Sequence, residues 1–179
     1  MTTYVALLYS ITLGQGRRVV MADLRAMAVG LGLRNPRTLI ATGNLVFEAE
    51  GTNPDDLTTR LETAFEKNFG RHVDIIVRDA AGWQALVAGN PFPKESETDA
   101  GHVIAQVMRR PVAAEAVAAL EPYLANGEKM KAVGGDLWIH FARDIGHSKL
   151  AAAITPKRLG APGTARNWNT VRRLGEMVG

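Results

Sequence analysis

The sequence predicts an α+β protein built from two ferredoxin-like units, each an α/β plait of order βαββαβ, with an extra C-terminal helix. Three observations predict it. Short β-rich runs alternate with stretches whose apolar residues recur at helical spacing. A turn signal joins two such runs in each half, at Gly43-Asn44 and again at Gly134-Gly135-Asp136. A proline- and charge-rich stretch, Asn90 to Glu97, separates the halves.

In the first half, Tyr4–Tyr9 reads as a strand and Ser10–Val20 as a polar, Gly-containing loop. Leu24, Met27, Ala28 and Leu31 then share one face of a helix spanning 21–31. The runs 37–42 and 45–48 form the first hairpin. Asn53 followed by Pro54 is an N-cap with proline at the first helical position. Leu57, Leu61, Phe65 and Phe69 place one apolar stripe on the helix that follows, and His72–Arg78 closes the set as a strand.

Trp83, Leu86 and Val87 mark a connecting helix, and 90–97 reads as a linker. The order then recurs: strand 102–109, helix 112–120, hairpin strands 129–133 and 137–141, helix 150–159, a short strand at 163–165, and a final helix from Trp168 to Val178. This divides the chain into a first unit (1–78), a connecting helix and linker (79–101), and a second unit with a basic terminal helix (102–179). The alternative is one α+β domain on a single mixed sheet.

Composition removes several classes of function. With no cysteine, there is no disulfide framework, thiolate zinc site, iron–sulfur cluster or cysteine nucleophile. No apolar run reaches the roughly 18–20 residues of a membrane span, and Met1 opens directly into a strand-like run, so no targeting segment is expected; the lack of cysteine points to a cytoplasmic location. The net charge of +3 is unevenly placed. From His147 onward, Lys149, Lys157, Arg158, Arg166, Arg172 and Arg173 face the single acid Glu176. Such an end attracts phosphates or acidic surfaces at long range.

Several pieces are similar to a known family: Tyr4-Val5-Ala6-Leu7-Leu8, Met21-Ala22-Asp23-Leu24-Arg25, the run from Arg37 to Phe47, Gly146-His147-Ser148-Lys149-Leu150, and Thr164-Ala165-Arg166-Asn167-Trp168-Asn169-Thr170-Val171. Through them the chain resembles, from end to end, the domain-of-unknown-function (DUF) family 1697 of bacterial proteins. The resemblance implies two plait-like α+β units and no established activity. Where members of the family carry Leu-Leu-Arg-Gly-Ile-Asn-Val-Gly-Gly, this chain has Leu7-Leu8-Tyr9-Ser10-Ile11-Thr12-Leu13-Gly14-Gln15. Its loop therefore lacks a cation and an amide at Tyr9 and Thr12, with Ser10 in place of the first glycine.

The candidate site residues fall late in the chain. In a plait, the loop after the third strand and the segment after the fourth share one edge, with one strand between them. In the second unit these are 143–148 and 166–169, expected roughly 10 Å apart. Ser148 and Lys149 open a helix whose first turn offers free N–H groups, and Ser148 is either a cap or a phosphate ligand. Arg166, Asn167, Asn169 and Arg173 offer a guanidinium pair and two amides beside the core stripe of Trp168, Val171, Leu174 and Val178. Weaker candidates are His147, Thr42, Asn44 and Arg17; Thr42-Gly43-Asn44 also reads as a plain turn.

Other chemistry is poorly supported. Gly14-Gln15-Gly16 fails the dinucleotide fingerprint because Val19 stands where its third glycine belongs. Asp136, His140, Asp144 and His147 lack metal-ligand spacing, and Ser148, His147 and Asp144 are too close in sequence to converge as a triad. No catalytic residue, metal or cofactor is expected.

Three functions stay open. The first is a module binding a phosphorylated small molecule or nucleotide at the late segments without strong catalysis. The second is an RNA or single-stranded DNA binder, although paired strand aromatics are missing. The third is an enzyme acting on a phosphate ester between the units, with His147 as general acid or base. Oligomeric state is not legible.

Overall fold

The structure, a computed structural model, describes residues 1–125 and 127–179. In chain order the elements are β1 (Thr2–Leu8), a small hairpin of β2 (Thr12–Gly14) and β3 (Arg17–Arg18), α1 (Met21–Gly30), β4 (Arg34–Thr38), β5 (Asn44–Ala49), α2 (Pro54–Phe69), β6 (Ile75–Asp79) and α3 (Ala80–Ala88). Then come α4 (Pro93–Thr98), β7 (Val103–Met108), α5 (Ala114–Leu120), β8 (Lys129–Val133), β9 (Asp136–His140), α6 (Lys149–Ala153), α7 (Pro156–Leu159), β10 (Gly163–Asn167) and α8 (Trp168–Val178). The chain divides into unit 1, Met1–Gln84 with Leu174–Gly179, and unit 2, Ala85–Arg173. Among the described residues, no helix is long and apolar enough to cross a membrane.

The fold is mixed α/β with two four-stranded antiparallel sheets, which overturns the single mixed sheet. In unit 1 the order is β4-β5-β1-β6, and in unit 2 it is β10-β7-β9-β8. Unit 1 is held by cross-strand pairs such as Tyr4 opposite Phe47, whose rings stack at 5.7 Å. The α2 stripe behaves as its spacing requires: Leu57, Leu61 and Phe65 are buried, and Phe69 packs on the same core with its ring 4.7 Å from Phe65. Burying each such side chain contributes about 1.5–3 kcal/mol. Asn53 starts the helix by accepting the Asp56 N–H at 3.0 Å.

Several local expectations are corrected. The second strand of unit 1 lies earlier, at Arg34–Thr38, and a 3₁₀ turn at Ile40–Thr42 carries the chain into β5. Gly43 takes φ +88° there, and a Cβ on it would sit 2.9 Å from both Ile11 Cγ2 and Leu8 Cβ, so the turn requires glycine. The linker holds a helix: Pro93 takes the first position of α4, where a missing N–H costs nothing, and the Ser96 N–H and hydroxyl both donate to the Phe92 carbonyl. The helix expected over 150–159 is two, because Pro156 cannot continue α6, and Thr155 caps a new turn through the Arg158 N–H. His72 precedes its strand, which begins at Ile75.

In unit 2, Leu137 and Ile139 from β9, Met108 from β7, and Leu150 and Leu159 from the broken helix pair form a core cluster. Gly163 lies so close to Met108 and Gln106 that a Cβ would meet their side chains at 2.6 and 2.8 Å. The last strand runs two residues further than expected, to Asn167, and passes into α8 with no intervening loop.

Candidate functional site

The strand register assembles one edge of unit 2. Val103 at the start of β7 pairs with His140, the last residue of β9, and Ile104 pairs with Asn167, the last residue of β10. His140 and Asn167 therefore end at the same edge, two strand steps or about 10 Å apart. On the far side of His140 lies Lys129, the first residue of β8.

The predicted residues do not meet around one centre. The Ser148 hydroxyl accepts the Ala151 N–H at 3.2 Å, capping α6, and donates to the Glu128 carboxylate beside β8. The Asn167 side chain accepts the Thr170 N–H at 3.0 Å, capping α8 at the opposite edge strand. Arg166 is 9% exposed. Its Nη1 donates to Thr164 Oγ1 and to the Ala165 carbonyl, each at 2.8 Å. Burial lowers its pKa to about 10, which still leaves it charged at neutral pH. Lys149, Asn169 and Arg173 are exposed, the last two one helical turn apart. Trp168 is half-buried, 6.1 Å from Trp138.

The weaker candidates scatter. Asn44 is fully buried, donating to the Leu39 carbonyl and Thr42 Oγ1, so Thr42-Gly43-Asn44 is an internally bonded turn. Arg17 is exposed on the small hairpin. Asp136 faces inward, accepting the Met108 N–H at 2.8 Å, away from the histidines with which sequence proximity grouped it.

What does gather at the edge is histidine. Asp99-Ala100-Gly101-His102 and Asp144-Ile145-Gly146-His147 are two copies of Asp-x-Gly-His, and each folds into a 3₁₀ turn. In each, the His Nδ1 meets its aspartate, at 2.7 Å for His102 and 2.6 Å for His147. Asp99 also receives His140 Nε2 at 2.9 Å. The Nδ1 of His140 is buried without a hydrogen-bond partner among the described residues. The other two rings are held through Nδ1 and keep Nε2 for outside chemistry, His102 half-exposed and His147 91% exposed.

The electrostatics follow from these contacts. Asp99 is held below the usual carboxylate range by the hydrogen bonds from His140 and then His102. Asp144 is lowered by the Gly146 N–H and by His147, with a smaller contribution from His102, which ties the two turns into one electrostatic neighbourhood. Glu95 is lowered by its pair with Lys129, the cross-strand neighbour of His140. Sequence reasoning missed Asp99 and His102, although the repeated Asp-x-Gly-His spacing was visible.

Comparison with known proteins adds fold and family. No curated protein matches the sequence. The structure described as that of conserved bacterial protein SP0830 from Streptococcus pneumoniae is similar over 99% of both chains, with a TM-score of 0.75 and 23% sequence identity. That likeness shows a shared fold. The profile of the family described as protein of unknown function (DUF1697) matches residues 1–138. The match takes in the Met1–Gln84 part of unit 1 together with β7 and β8, and it ends within β9, before the Gly146–Leu150 and Thr164–Val171 pieces of the resemblance. The chain belongs to the DUF1697 family.

Proposed function

We propose that unit 2 binds a phosphorylated small molecule or nucleotide at the edge formed by the two Asp-x-Gly-His turns, and that it acts by binding rather than by strong catalysis. One observation carries the reading: two imidazoles anchored through Nδ1 present Nε2 outward at the strand end that also leads into α8. A protonated imidazole held by aspartate is an oriented donor for a phosphate oxygen. Exposed Lys149 and Asn169 supply further donors at the flanks. The partner is accordingly a small anion, met in the cytoplasm. We also read each unit as a ferredoxin-like plait, a reading supported by a strand order that places the first and third strands of each unit at the centre of its sheet.

The test is a thermal-shift panel of inorganic phosphate, sugar phosphates and nucleotides on the wild type and on His102→Ala and His147→Ala. A ligand at 100 times its Kd stabilises by about 2.7 kcal/mol, a clear shift. The reading requires that shift and its loss in both variants. A flat panel, or a shift that both variants retain, overturns it.

The same Asp–His pairing favours a second reading, an enzyme acting on a phosphate ester with His102 or His147 as general acid or base. Turnover abolished in a histidine variant that still binds phosphate would select it. The polynucleotide reading has no such support: among the described residues, the strand aromatics Tyr4, Phe47 and Trp138 are all buried and offer no platform for bases.

A further inference from the structure

The protein's His–Asp contacts are of two kinds. Those of unit 2 measure 2.6, 2.7 and 2.9 Å. The contact in unit 1, His72 Nε2 to Asp74 Oδ1, measures 3.4 Å. A charge-assisted hydrogen bond draws its atoms to about 2.7–2.9 Å. Two ligands of one tetrahedral ion, with bonds of about 2.0–2.2 Å, stand about 3.3–3.6 Å apart. His72 and Asp74 have the second spacing.

A third ligand stands beside them. Glu62 of α2 brings a carboxylate oxygen to the pair, and one ligand atom from each of the three residues lies within 4.8 Å of the others. The backbone fixes the set. Val73 is buried, so His72 and Asp74, two apart in extended chain, are turned outward together. The Tyr9 N–H donates to the Asp74 carbonyl at 2.9 Å, and the Ile75 N–H donates to Glu62 Oε1 at 2.9 Å, orienting that carboxylate as outer-shell donors orient metal ligands. A cavity of about 210 Å3 adjoins, lined by Tyr9, Ser10 and Arg71 as well as by His72 and Asp74.

We propose that Glu62, His72 and Asp74 bind one divalent first-row transition ion, zinc or one of similar preference, with its remaining coordination positions facing this cavity. An imidazole nitrogen with two carboxylates selects such ions over calcium or magnesium, which take all-oxygen sets. Three protein ligands leave room for water or an oxyanion, and Arg71, anchored by its bond to the Thr12 carbonyl at 3.0 Å, stands at the cavity wall to attract an anion.

The experiment strips the full chain with chelator and titrates it with Co2+, read by the visible d–d bands of the protein-bound ion, then with Zn2+ in competition. One ion per chain is expected. His72→Ala alters an exposed residue, and Glu62→Gln keeps the oxygen that accepts the Ile75 N–H, so both fold. Each should weaken binding at least 10-fold, while His147→Ala should bind as the wild type does. Absence of a saturable Co2+ spectrum overturns the proposal. So does binding that survives both unit 1 substitutions or is lost with His147→Ala. Because site and readout lie in unit 1, failure here leaves the phosphate reading of unit 2 standing, and the reverse holds.

Discussion

The two units share a strand order and differ in how the chain crosses back to the last strand. In unit 1 the return is one unbroken 16-residue helix, α2, with a single apolar stripe and a cap at each end. In unit 2 it is α6 and α7, of five and four residues, broken at Thr155-Pro156. A long helix gathers its burial along one rigid rod. A broken one anchors short pieces, each with its own side-chain cap, and leaves polar turns at the sheet edge. One histidine turn, Asp144–His147, lies in this second crossover just before α6, and the other, Asp99–His102, lies before β7.

The contrast breaks first at the two cores. Phe65→Ala empties a site fixed on the rigid rod and should destabilise by about 3–5 kcal/mol. Leu150→Ala removes a buried side chain from a five-residue helix free to settle, and about 2–3 kcal/mol is expected. Urea unfolding of both variants measures the gap, and equal losses would remove it.

What the sequence revealed divides along the same line. α2 was legible because Asn53-Pro54 and the every-fourth stripe are local signals. The strand Lys129–Val133 and the helix Trp168–Val178 were legible for the same reason. α4 was hidden because Pro93 and its charged neighbours look like a linker, although proline suits a first helical turn. With 90–101 set aside as connection, Asp99 and its partner His102 dropped from view. The anion cradle expected from Ser148, Arg166 and Asn167 was framed by residue type. Their hydroxyl and amide groups turned out to serve caps, and the guanidinium an internal hydrogen-bond pair. The Glu62, His72 and Asp74 set joins a helix to a strand approach, and no spacing rule reaches across that separation.

A sharper test uses the turn at Gly43. Gly43→Ala forces a side chain into φ +88° and against Leu8 and Ile11, with a cost on the order of 1–3 kcal/mol seen as a lower Tm. The smallest effect is electrostatic. Because its folded pKa is depressed, Asp99 contributes stability that is complete above its unfolded value of 3.8 and is lost as pH falls through the lower folded value. Between pH 5 and 3 the Tm of Asp99→Asn should fall less than that of the wild type. Asp144→Asn, at a fully exposed pair, should follow the wild type closely.

The division of the chain has a consequence for biosynthesis. Residues 174–179 belong to unit 1, where the Gly175 carbonyl accepts from Gln84 at 2.8 Å and the Met177 carbonyl accepts from Arg37 at 3.0 Å. The body begun first on the ribosome is thus finished last, after all of unit 2 has been translated, and until then the nascent chain must carry an incomplete first half.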